Sequence, residues 1–183
     1  MDTFLIAYIL LVAVYRIAES TAMAKTGTLT RRPVRDWTAW LIILPYWFVI
    51  AGAPIEYMYA DRQATLPFVI AGGVLFIAAT GLRARAHLDL QAGFSMFLEK
   101  DPEQELVTTG LYSTIRHPLY LANVLLFIAC PLFLGVAYTW IFTLLGIAGV
   151  LVRIEIEERF LSEKMFDYRD YCRRTWRLIP RVW

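Results

Sequence analysis

Between Pro118 and Val152 the chain runs for 35 residues without a charged side chain, and this run limits the fold more than any other feature. A helix needs roughly 20 apolar residues to cross the hydrocarbon of a bilayer, with a range down to about 17. The run therefore holds two short spans, Pro118 to Gly135 and Val136 to Val152, folded as a hairpin. Backbone groups find no water inside a bilayer, so such spans are helical. The stretch GLYSTIRHPLY, Gly110 to Tyr120, leads into them. Pro118 suits a first helical turn, where its missing N–H costs nothing and its fixed φ is already helical, which puts His117 at the N-cap. Arg116 beside the unpaired N–H groups and positive dipole end of that helix would make an anion site at a membrane surface. The plainer alternative is that Arg116 contacts lipid headgroups and His117 only caps.

The rest of the chain follows the same logic. With 58% apolar residues and a mean hydropathy of +0.52, 183 residues are too apolar for an ordinary soluble domain. Three more apolar segments precede the run: Thr3 to Tyr15, extending as far as Ala24, then Trp37 to Ile55 and Ala64 to Leu82. Arg16 and Glu19 interrupt the first. Asp2 in place of a basic start, with no small-residue cleavage pattern, still argues for a span rather than a signal peptide. The expected fold is an all-α integral membrane protein, one membrane domain over residues 1–183 with five transmembrane helices near 3–24, 37–55, 64–82, 118–135 and 136–153. Of 18 basic residues, all but Arg62 then fall on one side. The positive-inside rule places the N-terminus outside and the C-terminus in the cytoplasm, in the inner membrane if the protein is bacterial.

Cys130 lies in a span and Cys172 in the cytoplasmic tail, so no disulfide is expected. Two histidines without clustered Cys/His spacing point away from a metal site. The basic loop TGTLTRRPVRD is read as a topology and lipid-contact element. Trp37 and Trp40 read as an interfacial belt, and Gly72 and Gly73 as a helix-packing face rather than a nucleotide loop. From Arg83 to Ile115 no helical period is sustained, and the stretch reads as a cap over the cytoplasmic face. Arg153 to Tyr171 reads as one helix continuing out of the fifth span, with Arg153, Glu157, Leu161, Lys164, Tyr168 and Tyr171 near one line. Arg153 and Glu157 could be an ordinary i,i+4 pair. Their closeness to the membrane boundary favours a functional role.

The cytoplasmic mouth thus gathers a carboxylate, two arginines, a histidine and four tyrosines. A carboxylate suits an ammonium, an arginine suits a carboxylate, and ring faces suit a sulfonium by cation–π attraction. S-adenosylmethionine carries all three groups, while a nucleotide or an anionic lipid would also suit two arginines.

EQELVTTGLYSTIRHPLYLAN, followed about 30 residues later by RIEIEERFLSEKMFDYRDYCRR, resembles the isoprenylcysteine carboxyl methyltransferase family and, more distantly, phospholipid methyltransferases. The resemblance covers roughly Phe94 to Pro180; the earlier spans match in hydropathy alone. It implies a membrane methyltransferase without a Rossmann domain, using S-adenosylmethionine bound by cytoplasmic regions near 94–120 and 153–180. By motif the cofactor is held by Gln104, Glu105, Leu106, Val107, Tyr112, His117, Pro118, Leu119, Tyr120, Glu157, Glu158 and Tyr168. Arg153 faces the acceptor and Arg116 supports the same region. The implied partners are a lipid-like or prenylated acceptor entering from the bilayer and membrane lipids, with no nucleic acid. Small-thiol S-methylation and phospholipid N-methylation remain alternatives, the latter disfavoured because Gly110 stands alone where that branch has a Gly-x-Gly element. DYCRRTWRLIP also resembles the tail of nicotinamide-dependent sterol reductases, and a non-catalytic scaffold is a third reading.

Overall fold

The computed structural model describes residues 2–25, 37–59, 64–90 and 106–183, and among these the backbone is helical wherever the sequence is continuously apolar. The helices are α1 (Thr3–Lys25), α2 (Trp40–Tyr59), α3 (Leu66–Leu90), α4 (Pro118–Leu134), α5 (Thr139–Lys164) and α6 (Tyr168–Arg174). Short 3-10 turns at Trp37–Ala39 and Gly110–Ser113 lead into α2 and towards α4. Four helices, α1, α2 with its leading turn, α3 and α5, are long and apolar enough to cross a membrane; α4, with 17 residues, is shorter. Large apolar side chains such as Leu10, Ile17, Trp47, Val74, Ile77 and Leu144 point outward, the inverse of a soluble surface. The chain is an all-helical integral membrane protein.

Within the bundle the contacts are close and specific. Tyr8 and Tyr15 of α1 set their rings edge-on to buried Phe76 of α3, at 6.1 and 6.3 Å between centroids. The Tyr8 hydroxyl donates to the Ile50 carbonyl of α2 at 2.9 Å. Helices α3 and α4 pack closely because Gly72 has no side chain: a Cβ there would stand 2.6 Å from the backbone of Phe133, whereas one at Gly73 would meet only ring atoms at 3.6 Å or more. Gly72→Ala is therefore expected to destabilise the protein by about 1–3 kcal/mol and Gly73→Ala to be tolerated, compared by thermal unfolding in detergent.

The α4–α5 connection turns at Gly135, whose φ of 67° an L side chain adopts only with strain. From the end of α2, Glu56 accepts the N–H groups of Ala137, Tyr138 and Thr139 at 2.7–2.8 Å and the Thr139 hydroxyl at 2.8 Å. This carboxylate satisfies the unpaired donors at the start of α5 and fixes that end of the bundle.

Two elements differ from the sequence expectation. Helix α3 runs on to Leu90 instead of ending near Leu82, which carries Arg83 inside the bundle; the cost of burying it is offset by Glu19 and Asn123. The helix expected from Arg153 to Tyr171 is broken at Met165, which adopts an extended conformation (φ −120°, ψ 116°) before α6 begins. No glycine or proline marks that break, and beyond it Tyr168 and Tyr171 are buried. The basic loop between the first two spans, and the central part of the expected cap, lie outside the described residues.

Candidate cofactor and acceptor cavity

The site is built around the entry to α4. His117 is the N-cap and Pro118 the first helical residue, so the chain arrives with its last extended residues free to pair elsewhere. They pair with the C-terminal tail. Arg116 N–H donates to the Trp176 carbonyl at 2.7 Å, Trp176 N–H to Thr114 at 2.9 Å and His117 N–H to Arg177 at 3.1 Å, a short parallel ladder. The Tyr171 hydroxyl donates to the Tyr112 carbonyl at 2.7 Å, which seats α6 against the 3-10 turn. That turn is anchored from α3, where Asp89 accepts the Leu111 N–H at 2.9 Å beside Gly110 at φ 61°. A Cβ on Gly110 would collide with the Asp89 carboxylate, so space and φ both require glycine there.

Glu158 on α5 gathers the charges behind this junction. Its Oε1 accepts from Arg116 Nε at 2.7 Å and from His117 Nε2 at 3.2 Å, and its Oε2 from Arg177 Nε at 2.8 Å. A carboxylate can only accept, so Nε2 of His117 carries the proton. Arg116 also donates to the carbonyls of Cys172 (3.1 Å) and Thr175. The guanidinium expected to meet a ligand is thus largely engaged by the protein.

One turn along α4, Tyr120 joins two charges. Arg153 Nε donates to the Tyr120 hydroxyl at 3.2 Å, and that hydroxyl donates to Glu157 Oε2 at 2.7 Å. Arg153 and Glu157 therefore interact through a tyrosine; the direct i,i+4 pair suggested by their spacing is not what links them. Arg153 is only 2% exposed and also bonds Thr38 Oγ1.

These groups face a cavity of about 340 Å³. Of the sequence-derived residues, Leu106, Val107, Tyr112, Arg116, His117, Leu119, Tyr120, Arg153, Glu157 and Tyr168 line it. Pro118 and Glu158 are not on its wall: the first starts α4, and the second holds Arg116 and His117 from behind. Gln104 and Glu105 lie outside the described residues. Burial pushes the phenols of Tyr112, Tyr168 and Tyr171 above their ordinary range, so all three stay neutral. The Tyr168 hydroxyl is buried without a hydrogen-bond partner, and the residue belongs to the cavity wall.

Sequence reasoning missed the inner end of the same cavity, lined by Arg16, Glu19, Tyr46, Arg83 and Asn123. Glu19 accepts from Arg83 Nε at 2.5 Å and from Arg16, Arg83 Nη1 donates to Asn123 Oδ1 at 2.7 Å, and Arg16 reaches the Tyr46 hydroxyl at 3.3 Å. The available signal was an arginine and a glutamate three apart inside an apolar span, a spacing that puts both on one helix face. In the sequence alone the pair reads only as an interruption of the span.

Fold and site together define a polytopic helical membrane protein with a cavity among the ends of its helices, whose largely apolar wall carries a few charged side chains. The chain belongs to the isoprenylcysteine carboxyl methyltransferase family, whose model matches residues 71–163, just over half of it. It is similar to methanethiol S-methyltransferase 2 of Bradyrhizobium diazoefficiens, with 39% identity over 80 residues covering 43% of this chain and 30% of that protein. It is also similar to the nickel-cobalt-cadmium resistance protein NccN of Alcaligenes xylosoxydans xylosoxydans, 34% identical over 48% of this chain and 42% of that protein. The cobalt-zinc-cadmium resistance protein CzcN of Cupriavidus metallidurans is 30% identical over 48% of this chain and 41% of that one. The matches span less than half the length of each of these relatives. Arg83, the α4 entry, Arg153, Glu157 and Glu158 fall inside the family match, whereas Arg16, Glu19, Tyr168 and Tyr171 fall outside it.

Proposed function

We propose that this protein is an S-adenosylmethionine-dependent membrane methyltransferase, similar to protein-S-isoprenylcysteine O-methyltransferases, that methylates a lipophilic carboxylate or related acceptor. The observation that carries the proposal is one cavity whose wall holds the Arg153–Tyr120–Glu157 chain together with Tyr112 and Tyr168, in a chain of this family. The donor set fits the cofactor. Glu157 takes the ammonium, the ring faces of Tyr112 and Tyr120 favour a sulfonium, and Leu106 and Val107 offer apolar contact to the base. When bound, S-adenosylmethionine supplies an electrophilic methyl group. The protein's part is to hold the acceptor in line and dry, which alone lowers a barrier by several kcal/mol. Arg153 orients an acceptor carboxylate, which is already nucleophilic and needs no base.

The charge distribution supports five crossings with the cavity mouth in the cytoplasm, the N-terminus outside, and acceptor entry sideways from the bilayer. A second reading, S-methylation of a small thiol, is favoured by the likeness to methanethiol S-methyltransferase 2.

Purified protein in detergent is expected to gain about 2.7 kcal/mol of stability from S-adenosylhomocysteine at 100 times its dissociation constant, read by thermal unfolding, and nothing from reduced nicotinamide dinucleotide. The opposite pattern would favour a reductase, and no response to either would favour a scaffold. Labelled methyl transfer to prenylcysteine analogues, fractionated lipids and small thiols then identifies the acceptor.

A further inference from the structure

His117, Tyr120 and Asn123 follow one another at intervals of three along α4, and each meets a different charged group. His117 meets Glu158, Tyr120 meets Glu157 and Arg153, and Asn123 meets Arg83, which holds Glu19. At 1.5 Å per residue, Asn123 sits about 4.5 Å further along the helix than Tyr120. The cavity is therefore polar at two levels.

Among the described residues of the inner level, two guanidiniums, Arg16 and Arg83, meet one carboxylate, Glu19, which leaves an excess of one positive charge among them. Arginine stays protonated in such surroundings. Glu19 is 5% exposed and Arg83 nearly as buried, whereas the Arg16 side chain is 45% exposed and lines the cavity beside Trp47. Ile42 and Ile43 of α2 line the wall next to it and offer an apolar surface. Arg16 and Glu19 precede the part of the chain that matches the family model.

We propose that this inner level is the acceptor subsite, with Arg16 and Arg83 joining Arg153 in holding the anionic head of an amphipathic acceptor, a carboxylate or a thiolate, while its apolar part lies along α2. The inference rests on the methyl-transfer reading for its purpose, though not for the binding itself. An acceptor held as an anion forms the new bond to the methyl carbon with its own lone pair. The donor's carbon–sulfur bond breaks with its electron pair remaining on sulfur, so the two opposite charges cancel and no proton has to leave.

The test is equilibrium binding without cofactor, using S-geranyl-N-acetylcysteine against its carboxamide, and octanethiol against methyl octyl sulfide at rising pH, where the thiol ionises to its thiolate. The wild-type protein is expected to bind at least one anionic probe about tenfold or more tighter than its neutral twin. Arg16→Gln should erase that preference without weakening the neutral twin, and Arg16→Lys should restore most of it. Whichever probe shows the preference names the acceptor class. Equal binding of charged and neutral twins by the wild type overturns the subsite, as does a preference that survives Arg16→Gln. Failure of S-adenosylhomocysteine to bind would overturn the methyltransferase reading instead and leave the probe result standing.

Discussion

Glu158→Gln is expected to lower the thermal stability of the protein by about 3–5 kcal/mol and to loosen the whole α4 entry. Its two carboxylate oxygens hold Arg116, His117 and Arg177, and the Arg116 and Glu158 side chains are only 8% and 9% exposed. Removing one partner of a buried pair leaves the other charge uncompensated, which costs far more than the pair itself contributes. The same carboxylate ties the tail ladder to α5 through Arg177, so the change should also free residues 175–183 from the segment before α4. Thermal unfolding measures the first effect, and faster amide hydrogen exchange at Arg116, His117 and Trp176 the second. Unchanged exchange at these amides would mean that the backbone ladder alone holds the tail.

Glu157→Gln is expected to act differently although the residue is next in sequence. Glutamine keeps the volume and still accepts from the Tyr120 hydroxyl, but the charge facing the cavity is gone. A hydrogen bond to a charged group contributes about 1.5–3 kcal/mol, so the dissociation constant for S-adenosylhomocysteine should rise by roughly tenfold to a hundredfold. Stability should hold, because Glu157 is only half-buried and completes no buried pair as Glu158 does. Isothermal titration and thermal unfolding of the two variants side by side separate a ligand-binding carboxylate from a structural one. Equal affinity for the ligand in wild type and Glu157→Gln would move the ammonium site elsewhere.

That contrast marks how far the sequence could be read. An EE pair beside a membrane boundary is visible in the chain, and so is the likeness to a methyltransferase family. Which glutamate faces the cavity is not visible, since neighbours on a helix are 100° apart and only packing decides which side is inside. Similarly, Arg116 reads as a free anion-binding cation from its place before Pro118, and the structure engages it with Glu158 and two carbonyls of the tail.

By itself the sequence determined that this protein is helical and membrane-embedded. A 35-residue uncharged run leaves the backbone no other way to satisfy its polar groups, and Pro118 sets where the fourth helix begins. Only the tertiary structure decided that Arg16, Glu19 and Arg83 share a cavity with Tyr120 and Glu157. Those residues come from α1, α3, α4 and α5, up to 141 positions apart in the chain. Charges that look like interruptions of single spans become tolerable only when helices bring opposite partners together, and local sequence carries no record of that pairing.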